Sequence, residues 1–538
     1  MGIWGGLRWS LRRGLWNWIA RTKFKQNRPL AILPVPRSFG PVVPVPLSRV
    51  FPDVTISSVF VASRIPADEK RPYGQYLKKR FMFAVQRLLY RIFPPTERGL
   101  PMIESDPHAA LAHGYRSRHD RAAKAAAAQA HVPRELVLAR PVLPAELCGK
   151  PDLGLLAVRG PYAAYLQRVT DEVYEWNLQQ IAEPAMVCHE GLYRPWAHVR
   201  FRRDPGARTI RAAEIRTELG TARPGDAAWP LAERIALCAV TTHTGLVRHW
   251  NWLHLMAGES LAIATRNAFR PDHPVCRLLW PHLYGTQQSN RFGNAAQLVP
   301  RGDFEETYSL THEGMCSLLE SSAREFLLEM GNPGLDAERR GLDASAIDLP
   351  TQANLEALYR VMHRHAQRYV GLYYSQDAEV HADEALRAWV DMLHRLLPQA
   401  GLEGLRPLTA AGLADMLARV IYLVTAYHES VGALLWNYQL WTSLHPVRVY
   451  RDGRREPLDV YQRLVNTNYL LQVIRAPLMA DYSGVALDEP KNPRRTELAK
   501  GVFRTFLAEL EALQRAMDLE PPGLWTLHPR MLEVNINA

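Results

Sequence analysis

Two histidines, His249 and His254, are the side chains whose type and spacing first suggest chemistry in this sequence. They stand in segment 246–265, which reads LVRHWNWLHLMAGESLAIAT. Neutral imidazole nitrogens are good ligands for transition metals. In a regular α-helix, five residues rotate a side chain by about 500°, so the two rings would point about 140° apart. A π-turn, with hydrogen bonds between residues five apart, would bring them nearly into line.

This spacing has two interpretations. The chain contains 19 histidines, so a pair five residues apart arises easily by accident and can consist of ordinary core residues. Alternatively, the pair forms one face of a metal site, because π-turns are rare and cluster at functional sites.

The elements that must position such a site are those of a large globular protein. The 538 residues are 47% hydrophobic and 22% charged, a composition that argues against disorder and allows either several domains or one large helical domain. The five cysteines are too scattered for a disulfide framework or a zinc pattern, which favours a reducing compartment.

The N-terminal region is strongly basic, since residues 1–52 contain no acidic side chain. Apolar residues recur at helical spacing in residues 3–19, which predicts an amphipathic helix that can lie in a membrane interface. The alternative is a helix packed on the body of the protein, and nucleic acid is not expected because no recognition motif accompanies the charge. The candidate membrane contacts are Trp4, Trp9, Arg12, Arg13, Trp16 and Trp18.

The sequence favours a cytoplasmic protein, peripheral on the membrane if the N-terminal helix binds lipid. The sequence contains no run of eighteen apolar residues, so no membrane-spanning helix is expected. At the N-terminus, arginines interrupt the apolar stretch that a secretory signal would need. A proline-rich strap over residues 29–52 follows the N-terminal helix.

The remaining pattern predicts a mainly α fold with a small β-hairpin subregion. Residues 198–218 alternate around an Asp-Pro-Gly turn, which is typical of a hairpin. Long apolar helices are expected at 231–269, 313–330, 352–374, 383–397, 411–436, 457–475 and 496–517.

Segment 249–290 resembles the iron-binding segment of lipoxygenases. The matching marks are two histidines with four residues between them and a Glu before an Ile-Ala-Thr run. His-Pro, Arg-Leu-Leu, Pro-His, Thr and Asn then follow in that order. In this sequence they are His249, His254, Glu259, 263–265, 273–274, 277–279, 281–282, Thr286 and Asn290. Residues 369–389 and 421–428, and the closing LHPRMLEVNINA, are similar to further blocks of the same family, so the resemblance covers about 193–538.

The resemblance implies a large lipoxygenase-like helical catalytic domain over residues 53–538, preceded by the basic helix and strap of residues 1–52, without the family's N-terminal β-barrel. It also implies a mononuclear non-haem iron site, with manganese as the alternative metal. The ligands would be His249, His254, His428 and the terminal carboxylate of Ala538.

Several positions depart from the family pattern. The chain ends in alanine instead of isoleucine, and the fourth in-fold ligand position is Gly432, which leaves that corner vacant. The usual glutamine link near the first histidine is replaced by Gly245, and its partner by Leu435. Glu259 is expected to be a buried, hydrogen-bonded partner in the helix bundle that supports the site.

By resemblance, the chain would be a monomeric dioxygenase with O2 as co-substrate. A ferric hydroxide would take a hydrogen atom from a polyunsaturated fatty acid or acyl lipid, and O2 would add to give a hydroperoxide, without an acid or base side chain. One alternative keeps the fold but isomerises hydroperoxides or oxidises a non-lipid substrate. A second alternative is a metal-free helical protein that binds membranes or acts as a scaffold.

Overall fold

The computed structural model describes residues 39–69, 81, 151–183, 186–204, 206–402, 408–432, 444–453, 478–483, 487, 489, 492–519 and 526–536. The predicted N-terminal helix, its six candidate membrane contacts and the predicted helix at 457–475 lie outside these ranges. The described chain is mainly helical, with two small antiparallel sheets.

The first described segment, residues 39–69, packs against the helical body. Strands β1 (Pro44–Pro46) and β2 (Phe60–Ala62) pair with each other, and the short helix α1 (Leu47–Val50) follows β1. Leu47, Val54 and Ile56 are fully buried in the same hydrophobic core as the central helices. The described part of the proline-rich strap is therefore part of the folded body.

A five-stranded antiparallel meander forms the second sheet. After helix α2 (Leu153–Val158), its strands follow in chain order, and alternate residues of β4, β5 and β6 face a separate apolar core. The predicted hairpin is confirmed as the β5–β6 pair, but the sheet is larger because β3, β4 and β7 are too short to give a clear pattern. The strands are β3 (Gln167–Arg168), β4 (Val173–Asn177), β5 (His198–Asp204), β6 (Thr209–Thr217) and β7 (Gly220–Ala222).

One long helical run occupies the centre of the molecule. Helix α3 (Trp229–His243) continues without a break into a first π segment (Thr244–Gly258) and then into α4 (Glu259–Ala268). Every residue from 235 to 266 is buried. The extent of this run agrees with the helix predicted at 231–269. The helix is apolar on all sides because it lies at the centre of the fold.

The other helices surround this run. Asn, Asp and Thr side chains cap the N-termini of several of them by accepting hydrogen bonds from backbone N–H groups. Helix α9 packs against α12 and α14. They are α5 (Pro274–Leu283), α6 (Thr286–Gly293), a second π segment (Asn294–Leu298), α7 (His312–Ser322), α8 (Pro333–Arg339), α9 (Pro350–Val370), α10 (Asp377–Ala382), α11 (Glu384–Leu396), α12 (Ala410–Tyr422), a third π segment (Leu423–Tyr427), α13 (His428–Gly432) and α14 (Pro493–Asp518).

Helix α7 is shorter than the sequence predicts. The apolar pattern extends to Met330, but the helix ends at Ser322 and the chain continues in two short 3-10 turns. The hydroxyls of Ser321 and Ser322 donate to the carbonyls of Leu318 and Leu319, at 3.1 and 3.3 Å. Such local bonds compete with helix propagation and favour an end at this point.

The run Ala410–Gly432 is the one helix of the described chain that is long and apolar enough to cross a membrane. Its most apolar window is 72% buried inside the fold. Core helices of this kind meet the same criteria of length and composition, so the finding is weak evidence for a span.

A buried charge cluster fastens residues 68–69 to the central run. The guanidinium of Arg266 donates to Asp68 at 2.7 Å and to Glu69 at 2.8 Å. Glu259 lies in the same cluster, and one of its carboxyl oxygens has no hydrogen-bond partner in the described chain. Burial raises the pKa of Glu69 to about 7 and that of Glu259, which also feels the charge of Glu69, to about 8.

These pKa values predict a loss of stability at alkaline pH. The folded state retains protons on both carboxyl groups that the unfolded chain loses near pH 4.5, so stability falls as pH rises through about 7 to 8. Glu259→Gln should therefore raise Tm by about 1–3 °C at pH 8.5 and change it little at pH 5, measured by calorimetry.

Glu69→Gln is the matched control for this cluster. Because the pKa of Glu69 is also raised, Tm should rise at pH 8.5 here too, but by less than for Glu259→Gln, since the change also weakens a hydrogen-bond partner of Arg266. An unchanged or lower Tm of Glu259→Gln at pH 8.5 would contradict the idea that burial raises the pKa of the Glu259 carboxyl.

Candidate metal centre

The first π segment brings His249 and His254 together. Because its hydrogen bonds join residues five apart, the two rings lie one turn from each other on the same face. Their Nε2 atoms are 3.1 Å apart. The predicted π-turn is confirmed, and it extends over 15 residues.

His428 supplies the third ring from a separate helix. It directly follows the third π segment, and its Nε2 lies 3.1 Å from the Nε2 atoms of both His249 and His254. All three residues are at most 3% exposed. The structure thus joins three ring nitrogens in a buried triangle, which we call the histidine cluster.

Hydrogen bonds among the rings cannot satisfy this triangle. Burial lowers the pKa of His249 and His254 well below the ordinary value, so these rings are neutral and each carries one N–H. Asn290 Oδ1 lies 3.1 Å from His254 Nδ1, which places the proton of that ring there and leaves a lone pair on Nε2. With one proton each on the rings of His249 and His428, at least one of the three Nε2–Nε2 contacts has no hydrogen bond. A cation, in contrast, can accept a lone pair from all three nitrogens.

The separations also suit a metal ion. Imidazole nitrogens that bind at about 2.1 Å lie about 3.0 Å apart at right angles and about 3.4 Å apart at tetrahedral angles. The observed 3.1 Å is closer to the first value. The cluster therefore fits three adjacent corners of a six-coordinate ion better than a structural zinc site.

Asn290, a residue that the sequence marks only as a landmark, fixes the orientation of His254. Its side-chain nitrogen donates to the His254 carbonyl at 2.6 Å, while its oxygen faces His254 Nδ1. The ring of Trp250 stacks on the other side of His254, with centroids 4.9 Å apart. Only the Thr286 to Asn290 spacing in the matching segment could have pointed to this role.

Gly432 and Gly245 are positions of close approach. A Cβ at Gly432, one turn after His428, would come 2.7 Å from His249 Nε2. A Cβ at Gly245 would collide with the hydroxyl of Tyr308. Neither position has room for a larger side chain while its neighbours stay in place, and Gly432 lies directly against the cluster as its position in the sequence predicts.

The C-terminal tail enters the core close to the cluster. Residues 532–536 are buried, and His282 Nδ1 donates to the Val534 carbonyl at 2.6 Å. The Ile536 side chain packs against Gly258, four residues after His254. His282, the histidine of the Pro-His pair in the matching segment, thus holds the tail inside the fold.

Of the remaining predicted site residues, the structure describes Glu259. Ala538 and Leu435 lie outside the described residues. Glu259 is buried, as expected, and its hydrogen-bond partner is the Ala62 N–H, with the charges of Glu69, Arg266 and Arg291 nearby. The carboxylate of Glu429 lies 3.6 Å from His428 Nδ1, the ring nitrogen that faces away from the triangle.

Comparison with known sequences identifies relatives of this chain. A family model described as Lipoxygenase matches residues 205–476. A linoleate 9/13-lipoxygenase of Pseudomonas aeruginosa is 27% identical over 306 residues, covering 53% of this chain and 44% of that protein. The polyunsaturated fatty acid lipoxygenase ALOX15 of Mus musculus is 26% identical over 321 residues, covering 55% and 46%. The chain thus matches slightly under half the length of these relatives.

Solved structures share the fold. The crystal structure of Delta413-417:GS LOX superposes with a TM-score of 0.71 at 15% identity, covering 90% of this chain and 79% of that chain. The manganese lipoxygenase of Gaeumannomyces graminis gives a TM-score of 0.69 at 15% identity, covering 93% and 96%. These likenesses establish the mainly helical fold that the sequence predicts. The family model, which matches half of the sequence, shows that the chain belongs to the lipoxygenase family.

Proposed function

We propose that this chain is a non-haem iron dioxygenase that inserts O2 into a polyunsaturated fatty acid or acyl lipid to give a hydroperoxide. The observation that carries the proposal is the buried triangle of three Nε2 atoms at 3.1 Å, in a fold shared with lipoxygenases. Relatives named for linoleate and for polyunsaturated fatty acids support this substrate class. Manganese is the alternative metal, as in one structural relative.

The proposed ligands are His249, His254, His428 and the terminal carboxylate of Ala538. The position of the tail supports the fourth ligand, because Ile536 already contacts the helix of His254 and two residues can extend up to about 7 Å further. The ligand is a backbone group, so alanine in place of isoleucine keeps the donor.

In this chemistry the protein holds the metal ligands in place and shields the site from water. A bound iron ion would supply the one-electron oxidation that removes a hydrogen atom from a doubly allylic carbon. Burial lowers the pKa of His249 and His254, Asn290 fixes the His254 ring, and Trp250, itself packed on Phe304, stacks on that ring. A dry apolar site can hold one methylene in place and exclude water.

A second candidate function is isomerisation of hydroperoxides or oxidation of a non-lipid substrate on the same metal. The observation behind it is Gly432, which brings no side-chain donor to the cluster. A corner without a protein ligand would leave a further position for exchange. Substrate comparison separates this candidate from the first.

Metal analysis and oxygen uptake test the proposal. The full chain should hold about one iron or manganese per molecule, and His249→Ala or His428→Ala should lower both metal content and oxygen uptake with linoleate or arachidonate by more than about 100-fold. His365→Phe is the control, because this buried histidine stacks on Phe506 outside the cluster, with centroids 4.3 Å apart.

Two outcomes would contradict the dioxygenase. Faster consumption of the fatty acid hydroperoxides than of the fatty acids would favour the second candidate. A chain without bound metal, after purification and after incubation with Fe²⁺, would exclude both enzymes and leave the metal-free membrane or scaffold protein.

The role of the tail predicts a specific effect of His282. Replacing it by Phe leaves the Val534 carbonyl without its donor, so the tail should loosen and metal affinity should fall by about 10-fold. His282→Gln, which keeps a side-chain N–H, should lose less. Equal metal affinities for the two variants, measured by competition with a chelator, would argue against this anchoring role.

We further propose that the chain is cytoplasmic and binds the membrane surface through its N-terminal helix. The support is the sequence alone, with tryptophans and arginines alternating over residues 3–19. Deleting residues 1–29 should abolish most co-sedimentation with vesicles that contain anionic lipid, and high salt should weaken binding of the full chain. Unchanged vesicle binding after the deletion would refute this role.

A further inference from the structure

Arg248 and Tyr427 join the two helices that carry the histidine cluster. Arg248 directly precedes His249 in the first π segment, and Tyr427 directly precedes His428 at the end of the third. The Arg248 Nη1 donates to the Tyr427 hydroxyl at 2.6 Å. The bond therefore spans the helices at the same register, one residue before a histidine on each side.

The surroundings of Arg248 are unusual for a buried cation. The residue is 8% exposed, and no carboxylate of the described chain lies within 4 Å of its guanidinium, although Asp336 and Glu325 feel its charge at longer range. Its Cζ lies 4.4 Å from the ring centroid of Tyr165 and 5.1 Å from that of Trp252. Two aromatic faces and a phenol hydroxyl thus supply the close stabilising contacts.

This arrangement restricts how the two helices can move relative to each other. A planar guanidinium held between two rings can keep its bond to Tyr427 only over a narrow range of positions. Gly245, on the same π segment, has no side chain to make another link. Since each bonded residue is adjacent to a cluster histidine, sliding or rotation of either helix would change the separation of His249 and His428.

We infer that Arg248 and Tyr427 are positioning residues that hold the rings of His249 and His428 at the separation a metal ion needs. The inference rests on the proposed function, because it assumes that the histidine cluster binds metal. It assigns to this pair a role in metal affinity, without contact with the metal or the substrate.

Titration of the metal-free full chain with Mn²⁺ tests this role, with free Mn²⁺ measured by its six-line EPR signal. Tyr427→Phe and Arg248→Met should each weaken binding by about 10- to 100-fold, the range found when partners behind metal ligands are removed. The double variant should be about as weak as the weaker single variant, because the bond is already lost in each. Arg248→Lys, which keeps a charged donor, should recover part of the affinity.

Tyr359→Phe is the matched control. This tyrosine is 8% exposed, against 5% for Tyr427, and its hydroxyl donates to Asp415 at 2.7 Å away from the cluster. The control should lower Tm, as any loss of a buried hydrogen bond does, but leave Mn²⁺ affinity unchanged. A merely structural role of Tyr427 would give the same result as the control.

The outcomes separate this inference from the proposed function. If the unmodified chain binds Mn²⁺ at the histidines and Tyr427→Phe binds it equally well, the positioning role is wrong and the metal site stands. Additive losses in the double variant would also overturn the role. If the unmodified chain and His249→Ala bind Mn²⁺ alike, both the inference and the proposed metal site fail.

Discussion

Three imidazole nitrogens meet 3.1 Å apart in the buried interior, and much of the structure around them serves to hold that arrangement. Lone pairs that point at one another repel, so the rings alone would move apart. The first π segment aligns His249 with His254, and Asn290 fixes the His254 ring. Packing of these elements in a close-packed core keeps the three rings together.

The sequence predicts those features that depend on local spacing. The long central run, the β5–β6 hairpin and the π-turn all follow from periodicity or from a single five-residue interval. Interactions between distant segments leave no such pattern. Asn290 lies 36 residues from His254, His282 lies 252 residues from Val534, and Glu69 lies 197 residues from Arg266. For the same reason the sequence predicts that Glu259 is buried and hydrogen-bonded, but not that its neighbours are Ala62 and Glu69.

The two glycines beside the site illustrate what sequence reasoning leaves out. From the sequence, Gly432 lacks the side-chain ligand that the family has at this position, and Gly245 lacks the glutamine side chain that links to the site. The structure adds that each glycine allows a close approach, by the Tyr308 hydroxyl in one case and by the His249 ring in the other. The loss of a donor and the gain of close packing are therefore coupled, and restoring a larger side chain would also displace an aromatic ring.

The two arginines buried on the central run are balanced in different ways. Arg266 has two carboxylates within hydrogen-bond distance, whereas Arg248 has aromatic faces and a phenol. A carboxylate paired with Arg248 would add to that of Glu429, which lies 3.6 Å from His428 Nδ1, and would favour protonated rings, which cannot bind a metal. The field of Arg248 acts in the opposite direction: together with burial, the larger cause, it lowers the pKa of nearby His243 to about 3. A cation stabilised without a carboxylate can therefore brace the two helices while it keeps the surroundings of the cluster unfavourable to imidazolium.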